Sequence, residues 1–560
     1  MSQHDLIIKG ARVYTLDGSN TVADALAVQN GYISAIGSVP QVSLNQGPNT
    51  TVLEMPGQTI TPGFFDAHPH IDRQGLKHLG GEPLRCHSIA DIIDVVRQTV
   101  ARTPKGEWVV IMPMSTGVDE YIDSPDQLKD KRFPTRFDLD KVSPDHPVFI
   151  RAPWGWWGRP PFPSVANTTA MKIAGVTHDS VNPYNVEIVK DERGDPNGVF
   201  LDRNYAPILE YTYFNCVPRF TYEDRVIAVR KGLAEFSALG TTAGYEGHGV
   251  TPALINAYCH VHETSGVSLR MQIPLSLPTA AFDSRKIADL LHYWANQLQE
   301  RGSGDDVLRF EGVCLDVGDP NVAQVIGRGY PYEQWAGHFY QSLPHAQFVE
   351  IGILCAKLGI RVNCLVCYDL ERVLRAYEAI DAEVRIRDRR WVMIHVVTAT
   401  KDQLRRMKAL GVVVTVVPSF IYTAADRFGL DKLGSRGVPV GDLLEAGIPV
   451  VFSTDNAPSS MLFAMWQSIS RWDSLTQSKI GESTITRAQA LRLSSEAGHY
   501  LTWNERSRGS LEPGKVADFV VLGGDPLTCA EDEIKDIPVA RTFLGGNEVY
   551  NNPALGTDAV

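Results

Sequence analysis

Between residues 61 and 504, short apolar runs alternate with amphipathic helical segments, and no other feature of the chain limits its fold so tightly. HPVFIRA, VSLRMQIPL, LRFEGVCLDV, GIRVNCLV, RRWVMIHVV, GVVVTVVP and GIPVVFSTD read as buried strands, short and β-branched between turn residues. Interspersed with them, SIADIIDVVRQTV, DRVIAVRKGLAEFSALG, SRKIADLLHYWANQLQERG, KDQLRRMKALG and VGDLLEAG carry apolar residues at helical spacing, several closing on Gly. Repeated β-then-α units call for a parallel sheet covered by helices. The predicted form is a closed (β/α)8 TIM-like barrel with insertions, an α/β fold.

The two ends of the chain follow a different pattern. DLIIKGARVYTLDG, ALAVQNGYISAIG and TVLEMPGQTITPG open it, and ADFVVLGGDP and ARTFLGGNEVYN close it, each a hairpin-like run bounded by Gly, Asp or Asn. Neither end has enough strands for a stable sheet of its own. The expected organisation is a composite β-sandwich of residues 1–60 with 505–560, interrupted by a barrel over 61–504. A chain of 560 residues is long enough for both.

Charge and composition exclude some partners. A formal charge of −12 argues against nucleic acid, whose phosphates reward basic surfaces. No run is apolar for long enough to span a membrane, and the opening MSQHDLIIKG lacks a signal-peptide pattern. The eight cysteines have no disulfide-framework spacing, so reduced thiols and a cytoplasmic location are expected. A small molecule is the expected partner. For assembly only a general frequency speaks, and it favours a homodimer.

TPGFFDAHPHID brings His68 and His70 one residue apart behind a Thr-Pro-Gly turn. On a strand, residues i and i+2 share a face, so two imidazoles can meet one ion. His395 in VMIHVVT and Asp455 in VVFSTD fall at the ends of later strands, where a barrel carries its chemistry. Each alone has an ordinary explanation, since a lone histidine on an apolar strand is usually a core residue. The four together make a metal site. Glu246 and His248 in TTAGYEGHGV follow a further strand and are either additional ligands or a solvated loop pair.

These segments resemble the amidohydrolase superfamily, in particular the branch that includes N-substituted formamide deformylases and exoenzyme-regulator-like hydrolases. The resemblance runs from LIIKGARVYTLDG through TPGFFDAHPH, GTTAGYE, IHVVTATKDQLRRMKALGVVVTVVPS and GIPVVFSTDNAP to SRGSLEPGKVADFVVLGGDPL, with SPDHPVFI and VANTTAMKIAGVT as marks of the branch. It implies a barrel within a small β-sandwich, His68, His70 and His395 as metal ligands, and Asp455 as the acid or base that also touches metal. Two positions depart from the pattern. Where the branch carries a lysine that can bridge two metals, FEGVCLDVGDP offers Cys314, either a bridging thiolate or a small thiol filling a strand. Where the branch has a strand-end histidine, RVNCLVCYDLER offers Cys364 or Leu365, with Asp369 retained; either the second metal is lost, or Cys364, Cys367, Glu246 or His248 compensates.

RAPWGWWGRPPFPS sets Trp154, Trp156, Trp157 and Phe162 in a Gly- and Pro-rich loop, the expected aromatic wall of a substrate pocket, with Arg159 available for a carboxylate or carbonyl. The function expected is hydrolysis of an amide-like or cyclic C–N bond in a small, partly aromatic substrate. The cofactor is one or two divalent ions, Zn2+ foremost, with Mn2+ or Fe2+ as alternatives. Tyr245 or Arg159 would polarise the carbonyl. Two rivals stay open: metal-dependent C–C hydrolysis or decarboxylation, and a non-catalytic regulatory barrel with a degenerate site.

Overall fold

The computed structural model describes residues 3–79, 85–117, 119–153, 158–279, 282–299, 302–319, 322, 336–367 and 369–555. At its centre lie eight parallel strands, β1 (Phe64–Asp66), β2 (Thr241–Tyr245), β3 (Arg270–Ser276), β4 (Leu308–Cys314), β5 (Val362–Leu365), β6 (Val392–Ile394), β7 (Val413–Val416) and β8 (Val450–Phe452), hydrogen-bonded in that order. The circle closes between β8 and β1, where Ala67 N donates to Phe452 O at 3.1 Å. Side chains fill the interior as the alternation of strands requires: Phe65, Ala243, Tyr245, Val392, Ile394, Val413 and Val451 form one buried cluster. The expected TIM-like barrel is therefore present.

Helices cap the strands as the periodicity predicts. Ser88 caps Ile89–Arg102, Thr221 caps Tyr222–Ala238 and Thr400 caps Lys401–Leu410, each accepting an orphan backbone N–H on its side-chain oxygen. Gly411, at φ 65, closes the last of these in the left-handed conformation that glycine tolerates.

Strands from both chain ends share one eight-stranded sheet. Phe519–Leu522 pairs antiparallel with Thr59–Pro62, which runs parallel to Leu6–Tyr14. Alternate residues of Leu6–Tyr14 enter separate buried clusters, Leu6 and Ile8 on one face and Ile7 on the other.

One strand reading needs correcting. HPVFIRA does form a buried strand (Val148–Ile150), but it belongs to a five-stranded sheet inserted between β1 and β2. Asn167, from the VANTTAMKIAGVT segment, clamps this insert: its Oδ1 accepts from Val148 N at 3.0 Å and Ala170 N at 2.9 Å, and its Nδ2 donates to His146 O at 2.8 Å. Among the described residues no helix is long and apolar enough to cross a membrane. All eight cysteines are free thiols.

Candidate active site

His68 and His70 do not share a strand face, as the i, i+2 argument supposed. β1 ends at Asp66, and His70 takes a left-handed backbone (φ 45, ψ 59) as it starts the helix Ile71–Leu76. That turn, rather than strand alternation, brings the two Nε2 atoms to 2.8 Å. Asp66 fixes it from below, accepting from His68 N at 2.9 Å, from Thr454 N at 3.1 Å and from the Thr454 hydroxyl at 2.5 Å.

The other expected ligands arrive from the ends of other strands. Asp455, after β8, sets Oδ1 3.1 Å from His70 Nε2 and 3.7 Å from His68 Nε2, with Oδ2 3.7 Å from His395 Nε2. The His248 ring centroid lies 4.5 Å from that of His68. His395 (φ 60) and Asp455 (φ 53) are left-handed like His70. Three non-glycine residues in this costly region, each at about 1–3 kcal/mol, cluster where the side chains converge, as strained backbone does at functional sites.

The donor set fits a divalent cation. Burial drives the imidazoles of His68, His70 and His395 well below their usual pKa and that of His248 down to about 3, so each ring stays neutral with a lone pair to give. Burial also pushes Asp455 up to about 7, with Asp66 adding to the rise and Arg73 opposing it. Both ring nitrogens of His395 and Nδ1 of His68 are buried without a hydrogen-bond partner, a costly state that a cation relieves at those nitrogens facing it. Among the described residues, three combinations hold potential ligand atoms within 4.8 Å of one another: His68 with His70 and His248, His68 with His395 and Asp455, and His248 with Cys314 and Asp316.

The remaining expected residues are placed unevenly. Glu246 stands behind the ligands, its Oε1 2.8 Å from His70 Nδ1, where a carboxylate orients an imidazole. Cys314 ends β4 beside His248 and Asp316, within reach of the site. Leu365 faces the cavity at the missing histidine position, while Cys364 turns outward into the core between barrel and helices. Cys367 lines the cavity, and Asp369 caps the helix Leu370–Glu383.

The structure does not bring Tyr245 to the substrate side. It is fully buried in the barrel, its hydroxyl committed to Asn363 Oδ1 at 2.8 Å. Nor does it bring Arg159, whose guanidinium is held by Asp426 at 2.6 Å and Asp473 at 2.8 Å beside a different cavity. Trp154, Trp156 and Trp157 lie outside the described residues, and Phe162 is buried in the inserted sheet.

Sequence reasoning passed over four members of the site. Asp66 was within the quoted motif, and Asp316 stood two residues beyond Cys314. Arg73 follows His70 by one helical turn, and its Nη2 lies 3.7 Å from Asp455 Oδ1. His338 stacks on His248 with centroids 4.7 Å apart. Only Asp66 and Arg73 carried a signal, their closeness to His68 and His70; His338 is a lone histidine in AGHFY.

With this geometry in view, comparison with known proteins decides the relationship. The pattern of the amidohydrolase family matches residues 53–550. The chain belongs to the amidohydrolase family. Arthrobacter pascens N-substituted formamide deformylase is 24% identical to this amidohydrolase, with 97% of each chain covered. An uncharacterized metal-dependent hydrolase from Pyrococcus horikoshii OT3 shares its fold, with a TM-score of 0.64 at 18% identity over 94% of this chain and 99% of the other. An adenosine deaminase from Xanthomonas campestris, solved with bound zinc, superposes with a TM-score of 0.53 at 14% identity, covering 98% of this chain and 93% of its own.

In this amidohydrolase a cavity of about 430 Å3 opens beside these side chains. His248, His395 and Asp455 line it, together with Arg73 and His338. Tyr205, Tyr340, Arg203 and Arg427 also line it. The volume suits a small molecule.

Proposed function

We propose that this enzyme is a metal-dependent hydrolase that cleaves the C–N bond of a small amide-like or cyclic amide substrate. The observation that carries the reading is the meeting of His68, His70, His395 and Asp455 at the mouth of the barrel, beside a cavity of ligand size. His68, His70, His248, His395 and Asp455 would hold the ion, and Cys314 with Asp316 and His248 offers donors for a second. A divalent cation bound there supplies Lewis acidity to the substrate carbonyl and to the attacking water. The mixed nitrogen, oxygen and sulfur donors favour Zn2+, with Mn2+ or Fe2+ as alternatives. The zinc in the Xanthomonas structure supports that choice.

The chain's own groups do the rest. Asp455 takes a proton from the attacking water and returns it to the leaving nitrogen, as a positioned carboxylate can. Asp66 and Glu246 hold the His68–His70 turn and the His70 ring in register, which keeps the reacting groups aligned. That the relative from Arthrobacter pascens is an N-substituted formamide deformylase favours an N-acyl or N-formyl amine as substrate.

The test is to offer zinc-loaded enzyme a panel of N-formyl amines, N-acetyl amines and cyclic amides, measuring free amine and carbon dioxide. Amine release in step with substrate loss is expected. No turnover across the panel, or carbon dioxide with no amine, contradicts the reading.

A further inference from the structure

Arg73 is 6% exposed and lines the cavity. Its guanidinium makes no hydrogen bond among the described residues. Among the described residues the carboxylate within 4 Å is Asp455, its Oδ1 3.7 Å from Nη2, and Nε is buried without a partner. A guanidinium cannot discard its charge by losing a proton, and it carries five donors in a planar fork. A buried donor without an acceptor is costly. The neighbouring arginine shows how the fold treats a cation that serves structure: Arg225, also buried, gives Nη1 to Asp72 at 2.6 Å.

Each neighbouring carboxylate lies closer to another group than to Arg73. Asp72 belongs to Arg225, Glu246 faces His70, and Asp455 stands among the imidazoles. A molecule entering the cavity can supply the acceptors that Arg73 does not find among the described residues. A carboxylate matches a guanidinium fork with two parallel bonds, which a carboxamide cannot reproduce.

We propose that Arg73 selects a substrate bearing a carboxylate, so that the enzyme acts on an N-acyl amino acid or comparable N-acylated acid in preference to a neutral amide. This rests on the C–N hydrolase reading for the reaction, but the anion recognition is separable from it. The experiment is calorimetric binding of benzoate and of benzamide to zinc-loaded wild type, Arg73→Gln and Arg73→Lys proteins, with zinc content and circular dichroism recorded for each.

Wild type should bind benzoate at least tenfold more tightly than benzamide. Arg73→Gln should bring that ratio close to one, with Arg73→Lys in between. Equal affinities in wild type overturn the inference without reference to either variant. So does a benzoate preference that survives in folded, zinc-replete Arg73→Gln, since the cation would then be holding the acid. If Arg73→Gln fails to fold, Arg73→Lys decides, and an unreduced ratio there overturns the inference. Because binding is read without turnover, a failed amine-release assay would leave this result standing.

Discussion

The backbone N–H of Asp455 donates to the carbonyl oxygen of His68 at 3.0 Å, so the turns after the first and last barrel strands hold each other in place. Thr454 extends the seam through the two bonds it gives to Asp66. Candidate ligands from opposite ends of the barrel sequence are thereby set by a few backbone and side-chain bonds. Thr454→Val removes the hydroxyl donor and keeps the shape. Metal affinity, measured by competition with a chromophoric chelator, is expected to fall by about 10–100-fold, the usual cost of losing such a supporting group.

Cys314 supplies a spectroscopic prediction. Its sulfur lies within ligand range of His248 and Asp316. In cobalt-substituted protein a sulfur-to-metal charge-transfer band should appear in the near ultraviolet and vanish in Cys314→Ser. A spectrum without that band would make Cys314 a filler of its strand.

The Arg225–Asp72 pair predicts a stability effect close to the site. Both side chains are buried, and burial already works against the Asp72 carboxylate. Arg225→Ala strands that charge and should lower the unfolding free energy by about 3–5 kcal/mol. Asp72→Asn in the same chain should recover part of the loss, as urea denaturation of the single and double variants would show.

His499 predicts an acid-dependent loss of stability. It packs edge-on against Phe65 at 5.3 Å, and burial, helped by Arg508, Arg270 and Lys515, pushes its pKa down to about 3. The unfolded chain, with an ordinary histidine pKa of about 6.5, then binds more protons than the folded one between those values. The contribution of His499 is complete above about pH 6.5 and is lost as the pH falls, by up to about 1.4 kcal/mol per pH unit. Urea midpoints at pH 7.5 and 5.5 should differ more in wild type than in His499→Gln.

Much of this could be read from sequence, for an identifiable reason. A parallel barrel delivers strand-end residues to one mouth, so His395 and Asp455 could be assigned with His68 and His70 from their positions in apolar runs. Partner choice between strands is long-range and leaves no local mark. HPVFIRA therefore looks like a barrel strand although it joins the inserted sheet. Whether Leu365 or Cys364 faces the cavity depends on the register of β5 against β6, Leu365 opposite Ile394, which one strand's sequence does not contain. Arg159 looked free in a Gly- and Pro-rich loop because its carboxylate partners, Asp426 and Asp473, are more than two hundred residues away in the chain. His338 stacks on His248 through the same kind of distant contact.

The central claim is that these histidines and Asp455 hold a catalytic metal. It is tested most directly by measuring metal per chain, by elemental analysis, and turnover of an N-formyl amine in the same preparations of wild type, His68→Ala and His395→Ala. At least one equivalent in wild type is expected, with metal and activity falling together in both variants. A folded wild type that takes up no Zn2+, Mn2+ or Fe2+, or a His68→Ala protein that keeps full metal and full activity, would contradict the account.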